Sequence, residues 1–168
     1  VHVLSHFDGL MEQYPGLRRM RASVRGVAGR EGEAASDWFS LLLSGETVPE
    51  RGLEEIRESN LHIRRADELL ASGFSPETPQ EALLGAVAAI SRNMFDKADS
   101  WLIKASSDAN LAPAVAGQVS VLPDTSLSSL SLEVLLPIFA DTGAAKTAAD
   151  IILRTSGSDI WRMDLVSR

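Results

Sequence analysis

The chain has 168 residues, of which 45% are hydrophobic and 23% charged, and this balance excludes an intrinsically disordered protein. Its formal net charge of −7 repels nucleic acid and anionic lipid, so neither is predicted as a partner. The absence of cysteine excludes disulfides, thiol catalysis and cysteine metal sites, and no apolar run approaches the roughly 18 residues of a membrane span.

The first part of the chain, residues 1–73, has the apolar spacing of consecutive helices. Apolar residues recur every three or four positions in three segments, which are 1–14, 17–25 and 32–44. The sequence 47–50 (Thr-Val-Pro-Glu) fits a capping box, which predicts the start of a fourth helix that ends near Gly73. Ser59-Asn60 is expected to weaken the middle of that helix.

Residues 78–155 contain further alanine-rich helical segments at close spacing. The sequence 78–81 (Thr-Pro-Gln-Glu) combines a capping box with proline at the first helical position, so it predicts a well-defined helix start. A break is predicted at Asn93, a kink or end at Pro137, and a cap at Thr142. A last helix is expected from the apolar residues of 160–165.

These segments predict an all-α fold, because alanine and leucine dominate the apolar set and only 5% of residues are aromatic. Two arrangements are open: stacked antiparallel helix pairs, like those of an α-α superhelix, or a compact helical bundle. We expect a single all-helical domain over 1–168, with N-terminal helices in 1–73 and a repeat-like helical stack in 78–168. The chain begins with Val1 rather than Met, which is typical of a domain or processed form of a longer protein.

Within this stack, residues 79–107 resemble a tetratricopeptide repeat unit. The small, aromatic and packing positions of that unit are matched by Ala86, Phe95, Ala98, Leu102 and Ala105. The proline that usually follows the second helix is absent, and Asn110 stands there. The later segments up to residue 155 resemble HEAT-type helical pairs. The resemblance implies a scaffold of stacked helices.

An arginine-rich segment is the first candidate binding site. Residues 17–30 contain five arginines, and Arg18, Arg21 and Arg25 share one face of the predicted helix. The opposite face is apolar and holds Leu17, Met20 and Val24. Guanidinium groups pair with carboxylates, so this face could bind an acidic peptide or an acidic protein surface. Alternatively, the arginines form a solvated face that pairs with carboxylates of the same chain.

His62 is the second candidate. The sequence 61–66 (Leu-His-Ile-Arg-Arg-Ala) distantly resembles the region of the phosphotransfer histidine in helical phosphotransfer domains, where a basic residue three positions later helps to hold phosphate. Arg65 occupies that position, whereas Arg64 replaces the usual apolar residue. The alternative is a histidine on the solvent-facing side of an amphipathic helix.

The sequence therefore favours a non-catalytic protein–protein interaction or scaffold module. It would bind another protein at an acidic surface or peptide of that partner. No enzymatic activity, cofactor or metal site is predicted, and we expect a cytoplasmic location. Two alternatives remain open. One is a signalling or phosphotransfer bundle centred on His62, and the other is an all-helical ligand-binding protein or enzyme.

Overall fold

All regular structure in the described residues is helical, which confirms the all-α prediction. The computed structural model describes the backbone of residues 9–123 and 129–155. Every helix in these ranges is too short or too polar to cross a membrane. The chain divides into two compact units, Val1–Ser75 and Pro76–Arg168. The single domain over 1–168 and the relation to tetratricopeptide and HEAT repeats stay predictions.

The first unit has two helices of 13 residues followed by three shorter ones. Its helices are α1 (Pro15–Val27), α2 (Glu31–Leu43), α3 (Glu50–Glu58), α4 (Leu61–Arg64) and α5 (Ala66–Ala71). Residues 9–13 are also helical, and Tyr14 separates them from α1. Residues 1–8 of the predicted first helix lie outside the described residues. Helix α1 packs on α2, and α2 packs on α3 and α4.

The described part of the second unit contains helices that are on the whole more apolar. They are α6 (Pro79–Ile90), α7 (Phe95–Ala105), a 3₁₀ turn (Ala109–Leu111), α8 (Ala112–Ser120), α9 (Ser129–Asp141) and α10 (Ala145–Thr155). Helix α6 packs on α7, and α9 packs on α10. Helix α8 contacts α7, α9 and α10, and α7 also contacts α9. The helix predicted at 160–165 lies outside the described residues.

The helix boundaries test the predicted caps one by one. The capping box at the start of α6 is confirmed, because Thr78 Oγ1 accepts a hydrogen bond from the backbone of Glu81 and Glu81 Oε2 accepts one from the backbone of Thr78. The box predicted at 47–50 is wrong, since α3 begins at Glu50 without a side-chain cap. The cap at Thr142 is also wrong: this hydroxyl bonds back to the carbonyl of Ile138 in α9.

Both predicted interruptions by asparagine are confirmed. Asn60 and Asn93 have φ angles of 55° and 57°, in the left-handed region that asparagine tolerates better than most residues. Asn60 separates α3 from α4, and Asn93 lies in the turn between α6 and α7. Pro137 lies inside α9 rather than at its end.

The core of the second unit shows why its sequence is rich in alanine. Small and large apolar side chains alternate in one buried cluster, which includes Ala82, Ala86, Leu102, Ala105, Val115, Ala116, Val119, Leu132, Leu135, Phe139, Ala148 and Ile151. Alanines at helix contacts allow the helices to approach closely, while Phe139 and the leucines fill the remaining volume.

The first unit has a core around Trp38, which lies on α2. The Trp38 indole nitrogen donates a hydrogen bond of 3.0 Å to the buried carboxylate of Glu55 on α3. Gly52 lies directly against this indole: a Cβ built on Gly52 would be 2.7 Å from Cγ1 of Val48 and 2.9 Å from Cδ2 of Trp38. Helices α2 and α3 therefore approach each other so closely at position 52 that only glycine avoids a steric clash there.

Candidate protein-docking face

Helix α1 lies closest to the rest of its unit at two of its smallest residues. Ala22 is the residue of α1 that is completely buried. One turn later, a Cβ built on Gly26 would lie 2.8 Å from the Oε1 atom of Glu55. Small residues on this side let α1 approach α2 and α3 closely.

A buried carboxylate holds one flank of α1. Asp37 on α2 is only 4% exposed and accepts hydrogen bonds from two arginines of α1. Arg21 binds it with both Nε, at 2.9 Å, and Nη2, at 2.5 Å, while Arg25 Nη1 binds it at 2.7 Å. Arg25 also lies 3.3 Å from Glu33. Two cations compensate one buried anion, so this cluster fixes the rotation of α1 about its axis.

Two of the three arginines of the predicted binding face are bound within the same unit. The guanidinium groups of Arg21 and Arg25 bind the protein's own carboxylates, as the solvated-face alternative supposed, although Asp37 itself is buried. Arg18 is half-buried, and its guanidinium group makes no hydrogen bond or ion pair within the described parts of the chain. On the other flank of α1, Arg19 Nη2 donates to the carbonyl of Thr47 at 2.9 Å.

Because these contacts turn the small and arginine-bearing sides of α1 inward, its apolar side faces solvent. This side, here called the apolar strip, consists of Leu17, Met20, Val24 and Val27. Their exposed fractions are 40%, 64%, 63% and 81%, in that order. Tyr14, just before the helix, is 55% exposed as well. An amphipathic helix normally buries such a side, so its exposure requires an explanation.

The geometry of the strip is that of a helix-packing seam. The intervals between its members are three, four and three residues, which is the a/d spacing of helices that pack side by side. With about 100° of rotation per residue, the strip covers an arc of about 80° around the helix axis. The centre of this arc lies about 160° around the axis from the direction midway between Ala22 and Gly26. The strip is therefore narrow and points away from the unit's own core.

Sequence reasoning found three members of the strip but not its exposure. It also missed Val27, because α1 extends two residues beyond the predicted helix 17–25. One signal was available: Asp37 lies in the middle of the apolar stripe of α2, between Ala35 and Trp38. A carboxylate at a core position needs cationic partners, and the nearest surplus of cations is the arginine-rich helix.

His62 does not lie on the surface, so the expectation of a solvent-facing histidine is wrong. The side chain is 2% exposed, and its Nδ1 atom has no hydrogen-bond partner in the described residues. Burial lowers the pKa of His62 below its ordinary value of 6.5, and Arg57 lowers it further, against an opposing hydrogen bond with the backbone of Ile56. Arg65 is bound to Glu68 and lies 4.9 Å from the centre of the Phe39 ring.

We expect His62 to make the first unit less stable in mild acid. Because its pKa is lower in the folded than in the unfolded protein, the unfolded state binds more protons as the pH falls below about 6.5. The free energy of unfolding should therefore decrease from pH 7.5 to 5.5. Urea denaturation at both pH values should give a smaller decrease for His62→Gln than for wild type, and an equal decrease would contradict this role. The comparison cancels the contributions of His2 and His6.

Two observations on the described residues concern chemical sites. No three His, Asp or Glu side chains among them lie close enough together to hold a metal ion. A shallow hollow at the start of α7 is lined by residues 93–97, where Asp96 and Lys97 are its charged members. No histidine lies there, so the hollow lacks the usual group for proton transfer near neutral pH.

Comparisons with known proteins give no further guide. No family model, curated protein or solved structure matches the chain.

Proposed function

We propose that this protein is a non-catalytic interaction module that binds another protein through the apolar strip on α1. The observation that supports this proposal is the exposure of Leu17, Met20, Val24 and Val27 at helix-packing intervals. Single exposed apolar residues are ordinary on protein surfaces, whereas an ordered seam of four is typical of a surface that a partner covers. Binding through such a seam needs shape and apolar contact and no reactive group.

The contacts beneath the strip support the same function. A docking surface is most effective when it is already in its bound shape, because less conformational entropy is lost on binding. Arg21 and Arg25 tie α1 to the buried Asp37, and Ala22 and Gly26 seat the helix closely on its neighbours. The strip is thus carried by a helix with a fixed orientation.

The two alternatives receive less support. Phosphotransfer from a partner requires an accessible imidazole, and His62 is 2% exposed. An enzyme or ligand-binding protein requires a site with convergent polar groups, and the hollow lined by residues 93–97 has Asp96 and Lys97 as its charged members. The resemblance of residues 79–155 to stacked helical repeats is compatible with a scaffold function alongside the docking of α1.

Replacing the two central members of the strip tests the proposal. We expect the double variant Met20→Gln and Val24→Gln to fold normally, because both side chains already face solvent and glutamine is a good helix former. It should lose at least about thirtyfold in affinity for a protein partner, since each of the two buried apolar side chains contributes about 1 to 2 kcal/mol. A partner identified by photocrosslinking at position 20 should be purified and its affinity measured by calorimetry.

The matched control is Val121→Gln. Val121 lies in the second unit and is 68% exposed, close to the 64% of Met20. The control removes an equally exposed apolar side chain without touching α1, so it should leave the affinity unchanged. Equal affinities of wild type and the double variant would contradict the proposed function.

A further inference from the structure

The short helix α4 contains a buried titratable group that docking through α1 does not use. We propose that α4 is a pH-sensitive switch: it stays packed while His62 is neutral, and protonation of His62 opens this turn while the rest of the first unit stays folded. The switch goes beyond the docking function and does not depend on the apolar strip. Its basis is the burial of the imidazole, the charges around it and the two joints that bound α4.

The imidazole of His62 lies in a site that suits its neutral form. The side chain is 2% exposed, and Nδ1 has no hydrogen-bond partner in the part of the chain that the structure describes. A neutral imidazole carries one N–H, whereas the imidazolium ion carries an N–H on both ring nitrogens. Protonation would therefore leave a charged donor at Nδ1 without an acceptor, which costs far more in a buried place than an unpaired neutral atom.

The nearest charge opposes protonation as well. Burial is the largest cause of the lowered pKa of His62, and the positive charge of Arg57 on α3 lowers this pKa further. The hydrogen bond with the backbone of Ile56 acts in the opposite direction and is outweighed.

The carboxylates on the helices that pack against α4 offer little compensation. These helices are α2, α3 and α5. Their buried carboxylates, Asp37 and Glu55, are bound to arginines, and Glu68 on α5 is bound to Arg65. The remaining carboxylates of the three helices lie at the surface and are Glu31, Glu33, Glu50, Glu54, Glu58 and Asp67. Carboxylates that water screens or that arginines already neutralise stabilise a buried imidazolium poorly.

The backbone allows α4 to open without its neighbours. The helix is a single turn, Leu61–Arg64, and a turn of this length is not stable without packing. Leu61 and His62 are its two buried residues. Asn60 before the turn has a φ angle of 55°, and Arg65 after it has a φ angle of −114°, so neither continues a helix. Displacement of α4 therefore leaves α3 and α5 wound.

Arg65 confines the opening to α4. Its Nε and Nη2 atoms bind Glu68 at 2.8 and 2.5 Å, and its guanidinium carbon lies 4.9 Å from the centre of the Phe39 ring. Phe39 is completely buried on α2, so this contact holds the start of α5 to α2. The switch is one mobile turn between two helices that keep their own contacts.

The direction of the response follows from proton binding. In the open turn His62 has its ordinary pKa of 6.5, whereas in the packed turn it stays neutral to lower pH. Because opening then takes up one proton, the open population should rise about tenfold from pH 7.5 to 5.5.

Hydrogen exchange on the full-length chain, followed by NMR, tests the switch. The amides of Arg64 and Arg65 report on α4, because they donate to the carbonyls of Asn60 and Leu61 at 3.0 and 2.8 Å. Their protection factors, corrected for the intrinsic exchange rate at each pH, should fall about tenfold from pH 7.5 to 5.5. Urea below the unfolding transition should leave these rates nearly unchanged, since a local opening exposes little surface, but should accelerate exchange in the middle of α2.

Two further measurements attribute the effect to His62. In His62→Gln, whose side chain does not titrate, the same protection factors should change less than about twofold over this pH range. In wild type, the ring protons of His62 should keep the chemical shifts of a neutral imidazole down to pH 5.5. This second measurement keeps the test decisive if His62→Gln does not fold.

Three results would each overturn the proposal. The first is exchange of the α4 amides with the urea dependence of α2, which would mean that the unit opens as a whole. The second is an undiminished pH response in His62→Gln, and the third is titration of His62 in the folded protein with a midpoint near its ordinary pKa. None of these measurements involves the apolar strip, so the docking function is decided separately.

Discussion

Replacing Asp37 by asparagine should destabilise the first unit by about 2 to 3 kcal/mol. Removal of one partner from a buried ion pair typically costs 3 to 5 kcal/mol, and the partial exposure of the arginines reduces this cost. An asparagine has the same shape as Asp37, so the loss reports the charge and its hydrogen bonds rather than a cavity. The side-chain NH₂ group of the asparagine would also face an N–H donor of an arginine, so these two groups could not form a hydrogen bond with each other.

Trp38 provides the measurement, since it lies in the core of the first unit. In a background with Trp101→Phe and Trp161→Phe, tryptophan fluorescence during urea denaturation reports that unit alone. The control is Glu33→Gln, because Glu33 also pairs with Arg25 but its side chain is 45% exposed. Glu33→Gln should cost less than about 0.5 kcal/mol. Equal losses for the two variants would show that Asp37 does not anchor α1.

Replacing Gly52 by alanine should destabilise the same unit by about 1 to 2 kcal/mol. The added methyl group would lie 2.7 Å from Val48 and 2.9 Å from the Trp38 ring, closer than real Cβ contacts. Both neighbours are buried, so relief requires a shift of α3 relative to α2. Overpacking of this kind typically costs 1 to 3 kcal/mol, and the better helix propensity of alanine offsets up to about 1 kcal/mol.

Gly32→Ala is the matched control for this experiment. Gly32 lies in the first turn of α2, and a Cβ added there meets no atom within 4 Å. The same substitution should therefore leave the unit unchanged or stabilise it by up to about 1 kcal/mol. Trp38 fluorescence reports both variants. If Gly52→Ala were as stable as Gly32→Ala, α3 could shift without loss of free energy of unfolding. The close contact of α2 with α3 at Gly52 would then not contribute to the stability of the unit.

Much of the fold could be predicted from local sequence. Helix periodicity, the capping box at 78–81 and the asparagines at 60 and 93 act over a few residues, so their effects can be read along the chain. The two failed caps have local causes of different kinds. Helix α3 begins at Glu50 with Pro49 before it, so Thr47 lies too far from the helix to cap it. The Thr142 hydroxyl bonds to the carbonyl of Ile138 instead of the next helix.

The candidate site was only half predictable. The sequence divides α1 into an apolar side and an arginine-bearing side, and the structure keeps that division. Periodicity alone suggests that the apolar side is buried and the arginines are exposed. Asp37 reverses this orientation, because its burial 16 residues away along the chain requires the guanidinium groups of Arg21 and Arg25.

By itself, the sequence determined the all-α class, most helix boundaries and the two sides of α1. These properties depend on interactions between residues a few positions apart. Only the tertiary structure decided which side of α1 faces solvent, that His62 is buried, and that α3 approaches Trp38 through Gly52. Each of these depends on a residue from another helix, and the free energy of burying a charge or a ring is set by that neighbour.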